Sequence, residues 1–86
     1  MDIIISNSSD KPIFEQVKQA IKKAIASNEL KENEVLPSIR NLAHDLRISV
    51  MTVKRAYDEL EAEGFIKTIH GKGSLVAPRN IELLRE

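Results

Sequence analysis

Residues 36–63, LPSIRNLAHDLRISVMTVKRAYDELEAE, decide the fold of this chain. Apolar residues recur in this stretch at the spacing of amphipathic helices, in two blocks that Arg47-Ile48-Ser49 separates. Pro37-Ser38 favours the start of the first helix, and Ser49 can cap the second, which ends before Gly64. Two helices joined by about three residues form a helix-turn-helix. The apolar positions are Ile39, Leu42, Ala43 and Leu46 in the first helix and Val53, Ala56, Tyr57 and Leu60 in the second.

The segment upstream predicts an arm and one further helix. Residues 1–11 combine an apolar triplet with a polar run, which is typical of a short extended N-terminal arm. From Pro12 the apolar residues again follow helical spacing and predict an amphipathic helix over about 12–27. A polar loop is expected over residues 30–35. Two of its side chains are expected to turn inward, Leu30 and Val35.

The segment downstream predicts a β-hairpin. Two β-rich runs, residues 65–69 and 74–77, flank the glycine-bearing turn His70-Gly71-Lys72-Gly73. Pro78 ends the hairpin. Three helices followed by a hairpin is the element order of a winged helix. The expected fold class is therefore mainly α with a small β-hairpin, a winged helix-turn-helix.

The composition limits what the chain can be. Its 86 residues and 9.7 kDa suffice for one small domain. Without cysteine neither a disulfide nor a Cys-based zinc site is expected, and His44 and His70 lie too far apart in sequence to suggest a metal pair. We expect no cofactor. We also expect no enzyme, because the chain offers neither a glycine-rich phosphate loop nor a plausible pair of nucleophile and base.

The sequence also predicts a cytoplasmic protein without membrane association. No apolar run approaches the roughly 20 residues that span a bilayer. The N-terminus lacks the basic start and the length of a signal peptide. The absence of cysteine fits an intracellular chain as well.

The net charge is zero, with 13 basic and 13 acidic side chains, but the charges are unevenly placed. Residues 46–57 and 64–80 carry basic side chains and no acidic one, and the acidic stretch 58–63 lies between them. If the basic segments share one face, that face is positive despite the neutral total, because salt screens charges beyond about 8 to 10 Å. The pattern alone leaves an ordinary solvated surface equally open.

Five motifs in this order resemble the DNA-binding domain of GntR-family bacterial transcription regulators. They are PIFEQV at 12–17, LPSIRNLA at 36–43, TVKRAYDELE at 52–61, GFI at 64–66 and HGKGSLV at 70–76. The resemblance covers residues 12–77, and several spaced motifs are much more specific than a lone helix-turn-helix pattern. Within the family the chain looks most like the short YtrA-type branch, whose members pair this domain with a small helical C-terminal dimerisation segment.

The resemblance implies a sequence-specific regulator, a repressor, that binds double-stranded DNA as a homodimer on a pseudo-palindromic operator. Its recognition helix would be residues 49–63 and its wing residues 65–77. The implied organisation is an N-terminal arm at 1–11, a winged helix-turn-helix DNA-binding domain at 12–78, and the start of a C-terminal helical dimerisation segment at 79–86.

The last segment, residues 79–86, carries an apolar stripe of Ile81, Leu83 and Leu84. In a lone domain this stripe would be exposed. We expect either that it packs on a second subunit or that the chain is truncated before the rest of its dimerisation helices.

The resemblance also implies which residues contact DNA. The arginine of the Leu-Pro-Ser-x-Arg motif is Arg40, the basic position of the recognition helix is Lys54, and the wing supplies His70 and Gly71. The N-terminal end of a recognition helix reaches base edges in this class of motif. The expected DNA-binding residues are Ser38, Arg40, Ser49, Val50, Met51, Thr52, Lys54, Arg55, His70, Gly71 and Lys72. For Arg40 the alternatives are a solvated side chain and a salt bridge to Asp45.

Two positions depart from the family pattern, since many relatives have an arginine where Val50 stands and a glycine where Arg47 stands. The first departure removes a potential bidentate contact with guanine. An exposed Val50-Met51 pair could meet a thymine methyl instead, unless Val50 packs inward. Tyr57 lies on the apolar face and is expected in the core rather than as a stacking platform for bases.

One other function stays open. A winged helix can serve protein–protein contact without a specific DNA target, and the acidic stretch 58–63 would then be the docking surface. Salt dependence distinguishes the two functions, because each phosphate contact adds about −0.9 to the slope of log affinity against log salt.

Overall fold

The structure is a computed structural model that describes residues 3–78. Its elements follow the predicted order, three helices and then two antiparallel strands, and this confirms the winged helix-turn-helix. They are α1 (Ile13–Ala26), α2 (Ile39–Leu46), α3 (Val50–Ala62), β1 (Ile66–Ile69) and β2 (Gly73–Val76). No helix in the described range has the length and apolar content to cross a membrane.

Serine side chains fix where the second and third helices begin. Ser38 Oγ accepts a hydrogen bond from the backbone N–H of Asn41 at 3.1 Å, and Ser49 Oγ accepts one from that of Thr52 at 3.0 Å. Each bond satisfies one of the backbone donors that a helix leaves unpaired in its first turn. The two caps therefore set the ends of the short connection between α2 and α3.

The core is built around one face of α3. This face packs against α1, α2 and β1. Five side chains at the centre of the core are almost fully buried, Val17, Ile21, Val53, Leu60 and Val76. Tyr57 is buried as well, and its Oη donates a hydrogen bond to the Pro37 carbonyl oxygen at 2.7 Å. Burial raises the pKa of the Tyr57 phenol well above its usual value, so the phenol stays a donor. The expected core role of Tyr57 is confirmed.

The segment before α2 adds an edge to the wing. Val35 forms a β-bridge with Leu75, and the Leu36 N–H donates to the Ser74 carbonyl oxygen at 2.8 Å. Successive side chains of an extended segment point to opposite sides. Leu36 therefore turns into the core, and Val35 is 59% exposed, so the expectation that Val35 turns inward was wrong. Leu30 is buried as expected.

Arg47 has a left-handed backbone, with φ 57° and ψ 45°, where the chain leaves α2. In this conformation its N–H bonds the His44 carbonyl, and the Ile48 N–H bonds the Ala43 carbonyl at 3.0 Å. The left-handed conformation costs a residue with a Cβ about 1–2 kcal/mol, whereas glycine adopts it freely. The turn of the helix-turn-helix thus carries a small local strain at Arg47.

Replacing Arg47 by glycine is expected to stabilise the fold by about 0.5–1 kcal/mol, because the relief of the left-handed strain exceeds the extra chain entropy of glycine in the unfolded state. Urea unfolding followed by circular dichroism measures this gain. Arg47→Ala is the matched control, since it removes the same side chain but keeps the strain. Equal stability of the glycine and alanine variants would contradict the interpretation.

Candidate nucleic-acid interface

The first turn of α3 presents two apolar side chains to solvent. Met51 is 72% exposed and Val50 is 45% exposed, so neither packs inward. Beside them, Ser49 Oγ and Thr52 Oγ1 lie 2.7 Å apart and hydrogen-bond to each other. Since Ser49 also caps the helix, both hydroxyls already have partners within the chain. The apolar pair is therefore the part of this turn best placed to contact a ligand surface.

Arg40 lies in the first turn of α2 and is exposed. No carboxylate within residues 3–78 forms an ion pair with it, and the salt bridge to Asp45 considered from the sequence is not formed. Asp45 instead lies 3.9 Å from the Nδ1 atom of His44. A guanidinium without an acidic neighbour at a helix start can bind an external anion.

Lys54 and Arg55 are adjacent in α3 but differ in their contacts. Lys54 Nζ pairs with Asp58 Oδ2 at 2.7 Å on an exposed surface of the helix. Such a pair contributes only a few tenths of a kcal/mol, so Lys54 can exchange Asp58 for a phosphate. The Arg55 guanidinium lies 3.7 Å from the centre of the Phe14 ring, and its Nε pairs with Glu59 at 3.2 Å. Arg55 is therefore directed toward α1.

The tip of the wing is the three-residue loop His70-Gly71-Lys72. The Lys72 N–H closes it by donating to the Ile69 carbonyl oxygen at 2.9 Å. Gly71 has φ 86° and Gly73 φ 95°, a conformation that side-chain-bearing residues rarely adopt, which explains both glycines. His70 and Lys72 are exposed on either side of Gly71. The loop thus presents two hydrogen-bond donors around a residue that allows close backbone approach.

The acidic stretch 58–63 is largely used inside the fold. Lys18 of α1 is buried and forms ion pairs with Glu59 Oε1, at 3.0 Å, and with Glu63. Lys22 Nζ lies 2.7 Å from Glu63 Oε1. The Lys18 hydrogen bonds lower the pKa of both carboxyl groups, and the bond to Glu63 is the main reason that the pKa of Lys18 is raised.

This pairing distributes the charges unevenly over a neutral chain. Lys18, Lys22, Lys54 and Arg55 have acidic partners on α3 or at its C-cap, Glu63. The other seven cations form no ion pair among residues 3–78. Three of them lie before, in and after α1, Lys11, Lys23 and Lys31. Four lie at the start of α2, in the helix-turn-helix connection and in the wing, Arg40, Arg47, Lys67 and Lys72. The elements expected to meet DNA therefore carry free positive charge.

A groove of about 500 Å³ between the N-terminal arm and the connection of α2 to α3 was not predicted from the sequence. Its polar lining includes Asn7 from the arm together with Arg47, Ser49 and Thr52. Gln16 fixes the arm through hydrogen bonds to backbone atoms of Ser6. A glutamine that binds backbone has no characteristic sequence pattern, which is why neither Asn7 nor Gln16 was expected.

The helix-turn-helix and its wing define the class of the protein, a winged-helix domain of DNA-binding regulators. The family described as bacterial regulatory proteins, gntR family, matches residues 13–76. The chain belongs to this GntR family. Its relatives are transcription regulators, in agreement with the expectation of a regulator rather than an enzyme.

Two YtrA proteins are among the similar proteins. The chain is 39% identical over 75 residues to the HTH-type transcriptional repressor YtrA of Bacillus subtilis (strain 168), and the match covers 87% of this chain and 58% of that protein. The solved structure of YtrA from Sulfolobus acidocaldarius, a GntR-family transcription factor, has a TM-score of 0.85 and 38% identity, over 96% of this chain and 88% of that one. Both agree with the expected YtrA-type branch.

A third comparison concerns a structure with DNA. The DNA-binding domain of AraR, solved in complex with operator ORX1, has the same fold, with a TM-score of 0.78 over 90% of this chain and 96% of that one, at 21% identity.

The chain spans somewhat more than half of the length of the curated YtrA repressor. The roles of the individual site residues stay predictions, and Ile81, Leu83 and Leu84 lie outside the described residues.

Glu63→Gln is expected to lower the stability of the domain at neutral pH, because it removes one of the two acidic partners of Lys18 and the acidic partner of Lys22. The pKa of the Glu63 carboxyl group is lower in the folded state than its ordinary value of 4.5. Such a group stabilises the fold at pH values above 4.5, and this contribution is lost as the pH falls through the folded pKa. Urea unfolding across a pH series should therefore show the free energies of unfolding of wild type and Glu63→Gln converging below pH 4.5.

The control is Asp58→Asn, which breaks only the exposed pair with Lys54 and should change stability less. A difference between wild type and Glu63→Gln that stayed constant as the pH falls would be incompatible with an electrostatic role for Glu63.

Proposed function

We propose that this chain is the DNA-binding part of a cytoplasmic transcription repressor that recognises a pseudo-palindromic operator as a homodimer. The observation that carries the proposal is the exposed apolar start of α3, Val50 and Met51, between elements whose cations have no acidic partner within residues 3–78. An uncompensated positive charge favours the DNA backbone, and an exposed helix start can read the major groove.

Each element has its own part in this proposal. The N-terminal turn of α3 enters the major groove, where Val50 and Met51 meet base edges. Arg40 binds phosphate at the start of α2, and Lys54 releases Asp58 to do the same. The wing places His70 and Lys72 against the minor groove, with Gly71 allowing close approach.

Four of the residues that were predicted to contact DNA have a smaller or an indirect role in the proposed complex. Ser38 and Ser49 cap helices whose free N–H groups point toward the proposed phosphates. Thr52 hydrogen-bonds Ser49, and its hydroxyl oxygen keeps acceptor capacity at the groove. Arg55 supports α3 through its contact with Phe14, and its side chain is exposed enough to contact DNA as well.

We propose that the homodimer forms through the C-terminal segment 79–86, with Ile81, Leu83 and Leu84 as its apolar stripe. Two copies related by a two-fold axis would place two recognition helices in successive major grooves about 34–36 Å apart. The two-fold symmetry is the reason that the operator is expected to be an inverted repeat, and the spacing sets the separation of its half-sites.

The second candidate function, a protein-docking module, has less support. Its proposed docking surface is the acidic stretch 58–63, but Glu59 and Glu63 are paired with α1, and Asp58 is paired with Lys54. A partner would have to compete with these contacts. The free cations of the helix-turn-helix and wing have no part in that function.

Selection from a pool of random double-stranded DNA tests the proposal. The chain should enrich an inverted repeat, and its affinity should fall with salt by about −0.9 per phosphate contact in the logarithmic slope. Arg40→Ala should weaken binding to all sequences and make the slope shallower by about 1.

Lys23→Ala is the matched control, because Lys23 is exposed on α1 away from the proposed interface and has no ion pair within residues 3–78. Binding that resists salt, or an equal loss in both variants, would favour the docking module instead.

Val50→Arg should change which bases are selected. An arginine at the exposed start of α3 can form a bidentate contact with guanine, worth about 1–3 kcal/mol of discrimination. The variant should therefore enrich guanine at one position of each half-site where the wild type favours thymine. The same selection, run in parallel on both proteins, measures this shift. Identical motifs would mean that residue 50 does not face the bases.

A further inference from the structure

The N-terminal arm has a fixed place on the domain. The Ser6 N–H donates to Gln16 Oε1 at 2.8 Å, and Gln16 Nε2 donates back to the Ser6 carbonyl oxygen at 2.9 Å. Gln16 Nε2 also donates to the Lys11 carbonyl oxygen at 3.0 Å. One side chain of α1 thus holds both ends of the polar part of the arm.

Apolar packing holds the first residues of the arm. Ile3 and Ile5 are half-buried against the core, whereas Ile4 between them is 90% exposed. This alternation is that of an extended segment lying flat on the domain. The arm is therefore anchored on both sides of Ser6, by apolar contacts before it and by Gln16 after it.

The anchored arm lies beside the start of α3. The arm residues Ile5 and Asn7 line the same groove as Arg47, Ser49 and Thr52. Asn7 is exposed, so its amide can reach a molecule outside the domain. The arm thus extends the surface proposed to meet DNA beyond the helix-turn-helix and the wing.

We propose that the arm is a third DNA-contacting element, in which the Asn7 side chain binds the sugar–phosphate backbone next to α3 and Gln16 is the positioning residue. This inference rests on the proposed function. An asparagine amide is a common donor to phosphate oxygens, and such contacts fix the register of a protein on the duplex. Because Gln16 holds the arm before binding, less conformational entropy is lost when the contact forms.

The test measures binding of a short mixed-sequence DNA duplex by the full chain, because a backbone contact does not depend on sequence. Asn7→Ala and Gln16→Ala should each weaken binding about tenfold to a hundredfold, the range of one hydrogen bond to a charged group. The salt slope should stay at the wild-type value, because neither side chain is charged.

Two controls separate positioning from general stability. Gln19→Ala, one turn further along α1, removes a side chain that hydrogen-bonds only Glu15 among residues 3–78, and this variant should bind DNA as the wild type does. In the double variant, Gln16→Ala should cost nothing more once Asn7→Ala is present, because Gln16 acts through the arm. A purely structural effect of Gln16 would persist in that background.

The experiment distinguishes failure of the inference about the arm from failure of the proposed function. If wild type binds with salt dependence and the single variants bind equally well, the arm has no contact and the inference is overturned alone. If the two losses add in the double variant, the positioning role of Gln16 is overturned. If wild type shows no salt-dependent binding of DNA, the proposed function and this inference fall together.

Discussion

The structure depends on the burial of one face of α3. Val53 and Leu60 on this face are almost completely buried, and α1, α2 and β1 all pack against the helix. The opposite side of its first turn is the exposed pair Val50-Met51. A single helix is thus both the centre of the core and the proposed reading element. Any change in the core would tilt the reading surface, since packed interiors transmit small displacements.

The hydrogen bond from Tyr57 to the Pro37 carbonyl extends this constraint to α2. It joins the middle of α3 to the residue just before the Ser38 cap. The separation between Arg40 and the start of α3 is therefore set by a part-buried contact as well as by the exposed turn. A hydrogen bond of this kind contributes about 0.5–1.5 kcal/mol to stability.

The net charge of zero does not show that charges are paired in one part of the domain and unpaired in another. Glu59 of α3 and the C-cap residue Glu63 pair with Lys18 and Lys22 of α1, which neutralises these carboxylates and leaves other cations uncompensated. A neutral chain can then present a positive surface to DNA, because within a Debye length of about 8 to 10 Å the local charges dominate. The sequence showed separate basic and acidic blocks, but only the fold shows which of them neutralise each other.

The elements were predictable because their signals are local. Helical spacing, serine caps and glycine turns each depend on neighbours in sequence, and all three helices and the hairpin were found where expected. The prediction that Val35 turns inward was wrong because its exposure depends on a β-bridge to Leu75, 40 residues along the chain. The contact of Arg55 with Phe14 is also long-range, and the bonds of Gln16 to Ser6 span 10 residues. Residue type alone does not distinguish either side chain from an exposed polar position.

Arg47 combines two opposing demands at one position. Its left-handed backbone favours glycine, and the resemblance to the family indicates that many relatives have glycine there. The same left-handed conformation costs arginine about 1–2 kcal/mol. Arginine also places a cation without an acidic partner among residues 3–78 beside Ser49 and Asn7 in the groove next to α3. In the proposed complex, a charge-assisted hydrogen bond from Arg47 to phosphate would contribute about 1.5–3 kcal/mol, which would offset the strain in the complex but not in the free chain. On the proposed function, the cost in stability and the gain in binding would then belong to the same side chain.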